Sequence, residues 1–139
     1  MTAATVAAPA GSINVGFKQS NVGLTAFPLS HAWLTAETDE ANDTVEFGYL
    51  PAGITVIGML NVSADLDSGT ALRQTIKLGT TNIVATDDLA SAGGNGEAYF
   101  FAPIVLTAAT LVSVVTTTGA TGHQNGTQYL TFLYYSTST

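Results

Sequence analysis

Tyr49-Leu50-Pro51-Ala52-Gly53-Ile54-Thr55-Val56-Ile57-Gly58-Met59-Leu60-Asn61-Val62-Ser63-Ala64-Asp65-Leu66-Asp67-Ser68-Gly69 is the stretch on which the reading of this chain turns. Pro51 fixes its own φ and lacks an amide donor, and Gly53 tolerates positive φ, so Leu50 to Gly53 reads as a tight turn. From Ile54 to Ala64 the residues are apolar and rich in β-branched side chains, which predicts the central strand of the core. Ile54, Val56, Gly58, Leu60, Val62 and Ala64 share one parity, so the expectation sets them on the core face, with Leu60 and Val62 pointing inward. Asp65 to Gly69 then breaks the strand with turn-forming residues.

Working outward, Val45, Phe47 and Tyr49 alternate with Glu46 and Gly48, a half-buried strand that feeds the turn. On the other side, Leu72, Gln74, Ile76 and Leu78 share one parity and Arg73, Thr75 and Lys77 the other, so this strand shows its cations outward and ends at Gly79. Asn82 to Ala85 is a short apolar run, and Asp87 to Gly96 is a loop rich in Gly, Ser, Ala and Asn. Glu97 to Ala102 resumes as a strand with three aromatics, which Pro103 ends or confines to a sheet edge. Leu106 to Thr118 and Gln128 to Tyr135, joined by the polar turn Gly119 to Gly126, read as a hairpin. In its last strand Tyr129, Thr131, Leu133 and Tyr135 oppose Leu130, Phe132 and Tyr134, so both faces are largely apolar. That strand either lies between layers or turns one face to another subunit.

Toward the N-terminus, Glu37 to Asp43 is an acidic, solvated loop. Ile13, Val15 and Phe17 alternate within a short strand or strap that Pro28 closes. Met1 to Gly11 has small residues and no periodicity, and is expected to be a mobile arm that orders on a neighbour. The chain is therefore all-β: an extended N-terminal arm and strap over residues 1–28, then a single-domain β-sandwich over 29–139.

Composition narrows the function. With 139 residues the chain fits one domain, burying roughly two thirds of its unfolded surface. The lack of cysteine removes disulfides, thiolate metal sites and thiol nucleophiles together. Although 46% of residues are hydrophobic, no apolar run approaches the roughly 20 residues of a spanning helix. Met1 to Ala10 lacks the basic start of a signal peptide, so a soluble protein made in a cytoplasm is expected, with no membrane partner. Only 9% of residues are charged and the net charge is -7, with Lys18, Arg73 and Lys77 the only fixed cations. Such a surface repels phosphates, which excludes nucleic acid as a partner. A surface of Thr, Ser, Asn and Gly suits extended contact with protein.

No residue is assigned a catalytic, cofactor-binding or metal-binding role. His31 and His123 sit in no triad or metal spacing and read as turn and surface histidines. Asp65 and Asp67, with Asp87 and Asp88 nearby in sequence, resemble half of a calcium loop but lack its later bidentate acid, and the same residues make an ordinary turn. Paired carboxylates for glycoside hydrolysis would have to come from these turns. Trp33, Tyr99, Phe100 and Phe101, with Tyr129, Tyr134 and Tyr135, offer a sugar-stacking platform, against which stands their ordinary use in strand packing.

The order of these segments resembles a family of small virion proteins of tailed bacteriophages and prophages, interpreted as capsid decoration or cement proteins. Its members share the Leu50-Pro51-Ala52-Gly53 turn, the Asp65-Leu66-Asp67-Ser68-Gly69 turn, a strand ending near Gly79, an Ala/Gly-rich middle loop and a C-terminal hairpin. The match runs from about Val45 to Tyr135. Members often carry acidic residues where this chain has Arg73, Gln74 and Lys77. The resemblance implies a jelly-roll-like sandwich without enzymatic activity or cofactor, a homotrimer on the outer surface of a phage capsid, with the major capsid protein as partner. Alternatives are a phage tail or head-fibre component, or a carbohydrate-binding module.

Overall fold

Turn chemistry sets the strand boundaries. In the computed structural model, which describes residues 23–34, 37, 40–91 and 96–136, the Pro51-Ala52-Gly53 turn separates β2 (Thr44–Leu50) from β3 (Ile54–Ser63). Gly53 takes a φ of +85°, as that turn requires, and its amide donates to the Leu106 carbonyl at 2.8 Å. Gly79 reverses the chain between β4 (Arg73–Leu78) and β5 (Thr81–Asp87), and a 3-10 turn at Leu89–Ser91 follows. The remaining strands are β1 (Thr25–Trp33), β6 (Glu97–Leu106), β7 (Thr110–Thr118) and β8 (Gly126–Ser136).

All pairings are antiparallel and build two four-stranded sheets, β1-β8-β3-β6 (sheet A) and β2-β7-β4-β5 (sheet B). Every connection except β4 to β5 crosses from one sheet to the other, the arrangement of a jelly roll. The expected hairpin of the last two segments is thereby corrected. β7 and β8 lie in opposite sheets, because the connection between them is long enough to cross the roughly 10 Å between layers. Pro28 does not close the first strand either: β1 runs through it, with Pro28 opposite Thr131. An edge strand tolerates the missing amide donor, and β1 is an edge. Pro103 lies within β6 at the opposite edge of the same sheet, as its chemistry allows. Of the arm and strap expected over residues 1–28, residues 1–22 lie outside the described residues, and Thr25 to Pro28 belong to β1.

Between the sheets, Leu50, Val56, Ile76, Val112, Val114 and Phe132 are fully buried, each stabilising the fold by about 1.5 to 3 kcal/mol relative to exposure. The face expected for β3 holds only for its first half. Ile54 and Val56 point inward, but the register shifts between Val56 and Gly58: against β8 the strand carries an extra residue at Ile57, whereas against β6 the extra residues lie on β6, between Phe100 and Ile104. A β-bulge reverses the parity beyond it. Met59, Asn61 and Ser63 are therefore buried, whereas Leu60 is 39% exposed. The inward placement of Leu60 and Val62 is corrected accordingly. A second shift, between Glu46 and Gly48, does the same in β2: Phe47 and Leu50 are buried and Tyr49 is exposed, so the expected Val45, Phe47, Tyr49 face is broken.

Candidate functional site: a polar interior beneath an uncharged sheet face

The reversed half of β3 carries polar side chains into the core, and they meet partners there. Gln128 of β8 accepts a hydrogen bond from Trp33 Nε1 at 3.0 Å and donates to Asn61 Oδ1 at 2.9 Å and to Gln74 Oε1 at 3.1 Å. Asn61 Nδ2 donates to Asp87 Oδ2 at 3.1 Å, and the Leu89 amide donates to Asp87 Oδ1 at 2.7 Å. Tyr99 of β6 donates to Asp87 Oδ2 at 2.7 Å and also meets Glu97 Oε1. Burial first, then its contacts with Glu97 and Asp87, push the Tyr99 phenol far above its ordinary value, so it stays protonated as a donor. The chain of bonds runs from β1 through β8 and β3 to β4 and β5, tying the sheets through buried side chains. Gln74 Nε2 and Thr116 Oγ1 have no partner among the described residues. Sequence reasoning missed this network; its one visible signal was Gln74 sharing a parity with Leu72, Ile76 and Leu78.

A separate carboxylate, that of the fully buried Asp67, is enclosed by main chain. Its Oδ1 accepts from the amides of Gly69 (2.9 Å), Thr121 (3.0 Å) and Gly122 (2.9 Å), and its Oδ2 from those of Ala71 (2.9 Å) and Leu72 (3.0 Å). Burial alone would raise its pKa, but the amides of Gly122, Gly69, Leu72 and Thr121 outweigh burial and hold it well below the carboxylate range. Lone pairs facing N–H donors are the reverse of what a cation needs. The calcium-loop reading of Asp65 and Asp67 gives way to an anion cage that joins the loop after β3 to the loop after β7. Asp65 Oδ1 itself accepts the Asp67 amide at 3.1 Å, an Asx turn. Asp87, engaged in the polar network, does not join Asp67, and among the described residues no three of His, Cys, Asp and Glu gather in metal-binding geometry.

The histidines serve packing and loop anchoring. His31 Nε2 lies 2.9 Å from Glu37 Oε1, and its ring stands edge-on to Trp33 at 5.0 Å and tilted against Phe47 at 5.6 Å. Burial raises the Glu37 pKa, yet the Leu34 amide, His31 and the through-space charge of His123 together hold it below its ordinary value. Both histidines thus act on one carboxylate, a proximity the sequence did not reveal. The aromatic platform is dispersed. Trp33 is buried, Tyr99 is bound to Asp87, and Phe101 and Tyr134 pack against the core. Phe100 and Tyr129 are the exposed members, and β3 lies between their strands.

What sheet A turns outward is unusual for an acidic chain. On β3 these positions are Thr55, Gly58, Leu60 and Val62; on β8 they are Tyr129, Thr131, Leu133 and Tyr135. β6 adds Ala98, Phe100 and Val105, and β1 adds Ala26, Pro28, Ser30 and Ala32. No outward position on the four strands is charged. Phe100 is 72% exposed and Val105 61%. The Phe100 ring lies over Gly58, where an added Cβ would come within 2.9 Å of it. Sheet B instead turns Glu46, Arg73 and Lys77 outward. The described residues enclose no pocket, so the extended surface of sheet A is the feature available for recognition.

No family model matches the chain, and no curated protein matches it. Solved structures do. The chain is similar to a chain of the cyanophage Pam1 capsid asymmetric unit, at a TM-score of 0.69 and 21% identity, covering 92% of this chain and 93% of that one. A chain from the capsid of Ralstonia phage GP4 gives 0.61 and 21%, covering 84% and 86%. One from the acid-stable capsid of Helicobacter pylori bacteriophage KHP30 gives 0.57 and 14%, covering 84% and 94%. At such identities the likeness is one of fold, and it spans nearly the whole of each chain.

Proposed function

We propose that this chain is a non-enzymatic structural protein of a bacteriophage virion, which decorates the outer surface of the capsid and stabilises it through protein–protein contacts. The observation that carries the reading is the uncharged outer face of sheet A, a surface suited to protein contact where the described residues enclose no pocket. The fold likeness to chains from three phage capsid structures supports the same reading. Its partners are the major capsid protein and further copies of itself in a homotrimer, and it is made in the host bacterial cytoplasm. A net charge of -7 suits the exterior of a shell better than the side that faces DNA. Met1 to Gly11, the expected arm, reaches neighbouring subunits. The test is antibody labelling, in the electron microscope, of particles purified from the organism that carries the gene. Label over the heads is expected. Label confined to tails or fibres, or no label on particles, overturns the proposal.

A further inference from the structure

We infer that the outer face of sheet A is the surface by which copies of this chain meet, centred on Leu60, Phe100, Tyr129 and Leu133. The inference rests on the reading that the protein self-assembles, and adds where it does so.

Register brings these residues together. Gly58 pairs with Leu133 on one side and Phe100 on the other, Leu60 with Thr131 and Ala98, and Val62 with Tyr129. The apolar side chains thus sit on adjacent strands around β3. They form one surface, not scattered exposures. The Ile57 bulge produces it, because the same parity change that buries Asn61 and Ser63 lifts Leu60 and Val62 outward.

Size and charge identify the occupant. Four strands about 4.8 Å apart and about 33 Å long give a footprint of roughly 600 Å², and side-chain relief raises the accessible area toward the roughly 800 Å² that each partner buries in a stable complex. The face is therefore large enough to sustain association unaided. A second copy also carries a charge of -7, so copies can approach closely only where neither presents carboxylates. The described acidic residues lie elsewhere: Glu37, Glu40 and Asp43 in the loop after β1, Glu46 outward on sheet B, Asp65 and Asp88 in loops, Glu97 at the rim of the inner face, and Asp67 and Asp87 buried. Sheet A is the side on which two such chains meet without opposing like charges. In a three-fold assembly the three faces surround the axis, which leaves sheet B and the loops for other contacts.

Sedimentation of the full chain, with two charge insertions, tests this. The wild type should sediment as an oligomer at micromolar concentration, and Leu60→Asp and Phe100→Asp should each weaken association at least tenfold. Thr117→Asp, on the outer side of sheet B, should leave it unchanged. A monomeric wild type, or Asp variants that associate as the wild type does, would overturn the inference. Should the Asp variants fail to unfold cooperatively, the wild type decides alone through hydroxyl-radical footprinting. Oxidation of Phe100 and Tyr129 should fall several-fold between dilute and assembling concentrations, while that of Tyr49 on sheet B stays constant; equal rates at both concentrations overturn it. A monomer found on phage heads defeats this inference and the homotrimer, and leaves capsid decoration standing. An oligomer formed through this face but not found on particles does the opposite.

Discussion

Before its bulge, β3 buries Ile54 and Val56; beyond it, the same strand buries Asn61 and Ser63 and shows Leu60 to solvent. The first half is an ordinary sandwich, apolar within. The second half is inverted, with amides and carboxylates inside and Leu, Val, Phe and Tyr outside. Burying amide and carboxylate groups costs free energy unless each is hydrogen-bonded; the bonds from Trp33 to Asp87 meet that condition for Asn61, Gln128 and Asp87, while Gln74 Nε2 is left without a partner among the described residues. Inversion frees the apolar residues of one end of the sheet for contact outside the molecule. Burial alone therefore does not mark the stabilising half of this strand.

The largest expected effect lies in the loop where the inverted half ends. Asp67→Ala removes the acceptor of five backbone amides, that of Leu72 buried and the other four part-buried, and should cost about 3 kcal/mol or more by urea denaturation. The same carboxylate sets a pH dependence. Folded, it resists protonation well below the usual range; unfolded, it takes up a proton near pH 4, at about the ordinary Asp value. The unfolded state binds more protons in that window, so stability should fall as the pH drops below about 4. Asp67→Asn should start lower and lose less on acidification; an unchanged acid limb would show that the cage does not hold the charge.

Next comes the pair Met59 and Leu60, neighbours on opposite sides of the sheet. Met59→Ala, at a fully buried position, should cost about 2 to 5 kcal/mol. Gln128→Leu removes the hub of the polar network at nearly constant volume, strands Trp33 Nε1 and the acceptors on Asn61 and Gln74, and should cost about 2 to 3 kcal/mol. If that variant is instead as stable as the wild type, the inverted half does not depend on its hydrogen bonds. Smallest is Leu60→Ala, expected at about 0.5 kcal/mol in monomer stability, as for a surface change. A loss near that of Met59→Ala would mean that the bulge is misplaced and Leu60 points inward.

Much of the architecture was legible in the residues. β-branched runs marked the strands, and the Pro51-Ala52-Gly53 turn and Gly79 fell where they were expected. The bulges were not legible, because an extra residue at Ile57 leaves composition unchanged while reversing every side chain beyond it. Strand pairing was not legible for another reason: whether the connection from Thr118 to Gly126 reverses or crosses depends on the opposite sheet. Prolines misled at Pro28, where an edge position removes the penalty that the residue type suggests. The polar interior escaped notice because Gln74, Asn61 and Gln128 are far apart in sequence and each alone resembles a surface residue. The face of sheet A was half visible, in the observation that the last strand is apolar on both sides.

The position of β8 has a consequence for how the protein comes into being. It is the last of the described strands, yet it stands between β1 and β3, and its pairing of Thr25 with Tyr134 joins the first described strand to the last. While the chain is still emerging from the ribosome, β1 and β3 have no partner along those edges, and sheet A cannot form until residues 126–136 arrive. Contacts of such sequence separation make folding slow. A nascent chain arrested before Gly126 should therefore be cut readily by protease within β1 and β3, and one released after Ser136 should resist. The sheet proposed to bind other copies is thus completed only once residues 126–136 have been made, so that shorter chains have no finished surface with which to assemble.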